Sequence, residues 1–138
     1  MKVSVIIPTY NRATLLKRTL ESLLSAQQPI GLNVQITVVD NNSSDDTCQV
    51  ITSYKERFAR VGLSLRYLFE TRQGRSYALN CGIAGTAGAL IGLIDDDEEV
   101  DPHWFACVNA VFQRPDIDFI GGPCKPRWSQ VAPAWLPH

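Results

Sequence analysis

Residues Ala89–Asp101 read ALIGLIDDDEEVD. A short apolar run (Ala89, Leu90, Ile91, Leu93, Ile94, interrupted by Gly92) stops at Asp95, Asp96 and Asp97, and Glu98, Glu99 and Asp101 follow. The length and Ile/Leu content of the run predict a central strand of a parallel sheet, buried on both faces. Carboxylates this close repel one another, and each resists ionisation of the next unless a cation shares the site. An Asp-x-Asp at the end of a strand sets two hard oxygen ligands on the same side of an extended backbone. That pattern suits Mg²⁺ or Mn²⁺ bridging to substrate phosphates. The competing reading is a solvated loop that caps the next helix through Asp101-Pro102. Capping accounts for Asp101 and leaves the triple aspartate unexplained.

Outward from this stretch the chain alternates strand and helix. Val3–Ile7 is a β-branched run closed by Pro8, which cannot donate to a sheet ladder. The turn Pro8-Thr9-Tyr10-Asn11 enters an amphipathic helix over 12–26, with Asn11 as its N-cap and Leu15, Leu16, Leu20, Leu23 and Leu24 at helical spacing. Val34–Val39 is a second buried strand ending at Asp40. A helix to about Arg60 follows, capped from Ser43 or Ser44, with Val50, Ile51, Tyr54 and Phe58 on one face. Leu63–Phe69 reads as a third strand, 77–87 as a small-residue helix, 101–113 as a helix and Ile117–Ile120 as a last strand. The domain so defined covers 1–120. Residues 121–138 form an irregular segment rich in proline, with Trp128 and Trp135.

This alternation implies an α/β fold: an open, mainly parallel sheet with right-handed crossovers and helices on both faces. Ligands of such sheets bind outside the carboxyl ends of the strands. Those ends carry Tyr10, Asp40 with Asn41, Arg72 and Arg75 around Gly74, and the aspartates, a set that suits a nucleoside diphosphate. No G-x-G-x-x-G follows the first strand and no G-K-[ST] occurs, which disfavours a dinucleotide-binding Rossmann domain and a P-loop. Gly85-Thr-Ala-Gly88 precedes a strand and reads as a helix stop with a tight turn. For each ligand candidate there is a plain structural alternative. Asp40 can enter a helix, Tyr10 can pack on its own turn, and Arg72 and Arg75 can be solvated. His103 reads as a helix-cap or surface residue, and two histidines leave little room for a Ser-His-Asp set.

The bulk numbers narrow the class. With 138 residues, 45% apolar, 20% charged and a net charge of −1, the chain is one globular domain without the basic excess of a nucleic-acid binder. No apolar run approaches a membrane span, and Val3–Ile7 is too short for a signal-peptide core. Cys48, Cys81, Cys107 and Cys124 form no C-x-x-C pair and read as reduced, mostly buried thiols. The expected location is cytoplasmic, with peripheral attachment to the inner membrane face through further segments as an extension.

VSVIIPTYNR, VVDNNSSDDT, RQGRSYALNCGI and LIDDDEEVDPHWF, in this order between Val3 and Phe105, resemble the donor-site blocks of glycosyltransferase family 2, whose members have the GT-A fold. The resemblance implies an inverting transfer from a nucleotide-sugar, most often UDP-linked, to a hydroxyl of a saccharide or lipid-linked acceptor. By position, Pro8, Thr9 and Tyr10 would line uracil and ribose. Asp40 would sit in the base-binding block beside Asn41, where many relatives carry a second acid, and Asp45 or Asp46 would close the pocket. Arg72, Gly74 and Arg75 match the loop near sugar and phosphates. Asp95, Asp96 and Asp97 match the D-x-D block, with Asp97 the first choice for direct coordination of Mn²⁺ or Mg²⁺ and Asp95 for the ribose or a water-mediated contact. The family's general base belongs to a later, acceptor-binding half, expected beyond these residues, so no catalytic base is assigned. Two other readings follow from the same residues. One is a non-catalytic nucleotide-binding module lacking the acceptor half. The other is a nucleotidyltransferase, for which the Gly-rich triphosphate loop is missing.

Overall fold

The computed structural model describes residues 1–128, 131 and 135. Four strands, β1 (Lys2–Thr9), β2 (Asn33–Asp40), β3 (Ser64–Phe69) and β4 (Leu90–Leu93), form one sheet in the order β3-β2-β1-β4, every pair parallel. The helices between and after them are α1 (Ala13–Ser25), α2 (Thr47–Arg60), α3 (Arg75–Ala84) and α4 (Trp104–Val111). The chain steps outward from β1 to β2 to β3, then jumps back past both to place β4 on the far side of β1. Right-handed crossovers in opposite directions put their helices on opposite faces. Accordingly α1, α2 and α4 share the core with Val3, Val5, Ile7, Val34, Ile36 and Val38, whereas Ala78 of α3 packs with Ile6 and Val39 on the other face. Gly82 seats α3 there: a Cβ at that position would lie 2.5 Å from Ile6 Cγ2.

β1 continues through Pro8 to Thr9, beyond the end expected from the sequence. The hydrogen-bond parity explains why this is harmless. Ile6 accepts from Ile94 N–H on the β4 side and Thr9 accepts from Asn41 N–H on the β2 side. Pro8 therefore faces the β4 side, past the last paired residue of β4, where no ladder bond is forfeited.

Three expectations are corrected. Among the described residues β4 lies at the edge of the sheet, not at its centre, with Ile91 and Leu93 about half exposed, because β1 is flanked on both sides. Ile117–Ile120 forms no strand; Asp118, Phe119 and Ile120 line a cavity together with β4 without pairing to it, and Phe119 is exposed. The cysteines are free, but Cys48, Cys107 and Cys124 are exposed and Cys81 is only partly buried.

Residues 121–128 carry no helix or strand, and the rest of the expected irregular segment, apart from Val131 and Trp135, lies outside the described residues. Among the described residues no helix is long and apolar enough to cross a membrane.

Candidate functional site

The crevice between the carboxyl ends of β1 and β4 is the point where the strand order reverses, the usual place for a ligand in an open parallel sheet. A cavity of about 430 Å³ opens there. Its walls are Pro8 and Thr9 at the end of β1, Tyr10 and Arg12 after it, Asn41 after β2, Gln73, Gly74, Arg75 and Ala78 at the start of α3, and Asp95, Asp96 and Asp97 after β4. Each loop is fixed by its own hydrogen bonds.

The three aspartates are not equivalent. Asp96 is buried, and its Oδ2 accepts from the Thr9 hydroxyl at 2.8 Å. Its Oδ1 accepts from Arg12 Nη1 at 3.2 Å, and its carbonyl accepts from the Thr19 hydroxyl at 2.9 Å. The middle aspartate thus clamps the turn after β4 onto β1 and α1, and each oxygen of its buried carboxylate has a donor, Thr9 or Arg12. Asp95 and Asp97 point outward, their side chains 43% and 47% exposed. Arg75 Nη2 lies 2.6 Å from Asp95 Oδ1, and Arg12 Nη1 lies 3.0 Å from Asp97 Oδ2. Both guanidiniums are held above their ordinary range, Arg12 by Asp96 and then Asp97, Arg75 by Asp95. Glu98 accepts from Asp95 N–H and from the Cys124 thiol, which this contact pushes up from the usual thiol range.

The opposite wall hangs on Asn41. Its side-chain amide donates to the carbonyls of Glu70 and Arg72 (3.1 and 2.6 Å), while its Oδ1 accepts from Gly74 N–H at 2.8 Å. Gln73 adds a bond to the Asn41 carbonyl. Gly74 has φ +137°, in the half of the backbone map that favours glycine, and that kink lets α3 begin at Arg75.

Asp40, Asp46 and Arg72 do not line this cavity. Asp40 is buried behind it, accepting from Ser43 N–H and from the Tyr67 hydroxyl, whose pKa is raised by burial and by Asp40. Asp46 is exposed at the start of α2. Arg72 folds back on Glu70 through three hydrogen bonds and lies over the Tyr77 ring. Those bonds hold the Glu70 carboxyl down to about 2.

The helix caps also differ from expectation. Ser43 and Ser44 do not cap α2, nor does Asn11 cap α1. Instead Asp45 serves both helices: Oδ2 accepts from Ala13 N–H at the start of α1, and Oδ1 accepts from Thr47 N–H and the Thr47 hydroxyl at the start of α2. Burial pushes the Asp45 carboxyl up, and these hydrogen bonds, Thr47 first, outweigh it and leave it low. Asn11, in the left-handed region at φ 51°, accepts through Oδ1 from Ser44 and Asp45 N–H. The shared cap is available because the loops after β1 and β2 lie side by side.

Three lining residues, Arg12, Gln73 and the apolar Ala78, were not singled out in the sequence. Arg12 sits where a helix start is expected, and only the approach of β4 to β1 turns it toward the aspartates. Gln73 is one polar residue in a polar loop, with no distinguishing signal.

The sequence matches the family model for glycosyl transferase family 2 over residues 4–135. The chain belongs to that family. It is 32% identical over 117 residues to an uncharacterised glycosyltransferase of Nostoc sp., alr2836, covering 85% of this chain and 34% of the relative. The fold is of the GT-A type, as in the solved glycosyltransferases it resembles. The S. aureus TarS structure in complex with UDP superposes with a TM-score of 0.72 at 25% identity, over 82% of this chain and 32% of that one. The mannosyltransferase PcManGT of Pyrobaculum calidifontis, in complex with GDP-Man and Mn²⁺, gives 0.71 at 29% identity, over 83% and 33%. The chain thus spans about a third of the length of these relatives.

Proposed function

We propose that these residues bind the nucleoside diphosphate sugar of an inverting glycosyltransferase, and that Mn²⁺ or Mg²⁺ joins the diphosphate in the crevice between β1 and β4. The observation that supports this most directly is the meeting of Asp95, Asp97, Arg12 and Arg75 with Tyr10 and Asn41 around one cavity. Pro8, Thr9 and Tyr10 take the base and ribose, Tyr10 through its half-exposed ring. Gly74, its own N–H held by Asn41, opens α3 so that Arg75 and the helix N-terminus face the phosphates, where a helix N-terminus and a guanidinium both favour negative charge. Asp40, Asp46 and Arg72 act in this reading from outside the lining, Asp40 and Arg72 by fixing the loops that form it.

The donor set fits a hard cation. Asp95 and Asp97 offer carboxylate oxygens at the mouth, and Asp97 is the first choice for direct coordination. Among the described residues no group of three His, Cys, Asp or Glu side chains converges on one point. Water and phosphate oxygens would complete the coordination, as is common for Mg²⁺. When bound, the metal would neutralise charge on the departing diphosphate. The chain's own part is to hold base and ribose, set the phosphates against Arg12 and Arg75, and keep the aspartate turn rigid through Asp96. The proton of the acceptor, a saccharide or lipid-linked hydroxyl, is taken by a base outside these residues.

Calorimetric binding of UDP and GDP, without metal and with Mn²⁺ or Mg²⁺, tests the reading. Metal-dependent UDP binding that is lost in Asp97→Ala supports it. A folded chain that binds neither nucleotide with either metal refutes it.

A further inference from the structure

Two ion pairs at the mouth of the cavity occupy the same oxygens that the proposed function assigns to the cation. Asp95 pairs with Arg75 at 2.6 Å and Asp97 with Arg12 at 3.0 Å, and no other side chain among the described residues bonds either carboxylate. Both arginines are at least half exposed and both line the cavity. We propose that Arg12 and Arg75 stand in for the divalent cation in the ligand-free protein, and that cation and diphosphate enter as a pair by exchanging these contacts. The inference rests on the donor-site reading above.

The electrostatics require the exchange. A divalent ion placed between Asp95 and Asp97 would share its ligands with two guanidiniums and be repelled by both. The guanidiniums need a new anionic partner to leave, and the diphosphate is one of suitable geometry, since arginine forks match phosphate oxygens. Asp96 stays in place during the exchange, because Thr9 still donates to its Oδ2 after Arg12 has gone. The turn that presents the outer aspartates is therefore the same in both states, and only two long exposed side chains move. Metal alone then binds weakly, nucleotide alone binds weakly, and each strengthens the other by the same factor, as linkage demands.

The test measures Mn²⁺ binding to this chain from the free-ion paramagnetic resonance signal, without nucleotide and with saturating UDP. It compares wild type, Arg12→Gln, Arg75→Gln, the double variant and the double lysine variant Arg12→Lys/Arg75→Lys. Each glutamine substitution should tighten Mn²⁺ binding without nucleotide by about threefold and the double by about tenfold, the size expected for releasing exposed ion pairs. The enhancement by UDP should shrink correspondingly. The lysine pair keeps the charge and should remain near wild type. The single variants carry the test if the double variant fails to fold. Coupled UDP and Mn²⁺ binding in wild type, with glutamine variants that hold Mn²⁺ alone no tighter, would overturn the exchange and leave the donor site standing. Absence of any UDP or Mn²⁺ binding to wild type would overturn both.

Discussion

The aspartate triplet divides into one residue that holds the fold and two that face the cavity mouth, and alanine substitutions should separate them. In Asp96→Ala the Thr9 hydroxyl, buried in β1, loses its acceptor. An unsatisfied buried hydroxyl costs about 1–3 kcal/mol. The Thr19 hydroxyl keeps its bond, since it donates to the main-chain carbonyl of residue 96. Arg12 loses one partner but keeps Asp97 and water, with its side chain 50% exposed, so its share is about 0.2–1 kcal/mol. The total is about 1–4 kcal/mol. Asp96→Asn should cost about 1 kcal/mol or less, because its carbonyl oxygen can accept from Arg12 while the Thr9 hydroxyl turns to accept from the amide. Asp95→Ala and Asp97→Ala remove exposed pairs only and should each stay within about 0.5 kcal/mol of wild type. Urea unfolding followed by tryptophan fluorescence, without nucleotide or metal, measures all four midpoints at constant slope. If Asp96→Ala unfolds within about 0.5 kcal/mol of Asp97→Ala, the clamp assigned to Asp96 does not exist.

Three further outcomes are expected. Gly82→Ala drives a Cβ to 2.5 Å from Ile6 Cγ2 and 3.1 Å from Val39 Cγ2. It should cost about 1–3 kcal/mol by overpacking, less the gain of up to about 1 kcal/mol in helix propensity, read from the same urea midpoints. Asn41→Asp replaces the amide that donates to Glu70 and Arg72 carbonyls with an acceptor facing two acceptors, and should cost about 1–3 kcal/mol in urea and weaken any nucleotide binding. The Glu70 carboxyl, held near 2 by Arg72, contributes stability that is complete above its unfolded value of about 4.3 and is lost as pH falls toward 2. Arg72→Ala should flatten the pH dependence of the urea midpoint across that window, and an unchanged slope there would contradict the pairing.

Strand and helix identity was legible because the apolar spacing changes period cleanly. Val50, Ile51, Tyr54 and Phe58 are all buried, as their helical spacing requires. The expected centrality of β4 failed because an Ile/Leu run carries no information about its neighbours, and Ile91 and Leu93 face outward at a sheet edge. Ile117–Ile120 failed for the related reason that a strand exists only with a pairing partner. The aspartates, Tyr10, Asn41, Gly74 and Arg75 were legible as a group because each closes a strand or opens the next helix at one end of a parallel sheet. The division of labour within Asp95–Asp97 was not, since it depends on Thr9 and Thr19, a strand-end hydroxyl and a mid-helix one whose direction is set by tertiary packing.

The cap shared through Asp45 has a dynamic consequence. One carboxylate accepts from the first amide of α1 and the first amide of α2, and Asn11 ties the same two loops through Ser44 and Asp45. Neither helix start can fray without releasing the other. Amide exchange at Ala13 and at Thr47, 34 positions apart in the chain, should therefore proceed through a common opening and slow or quicken together as conditions change.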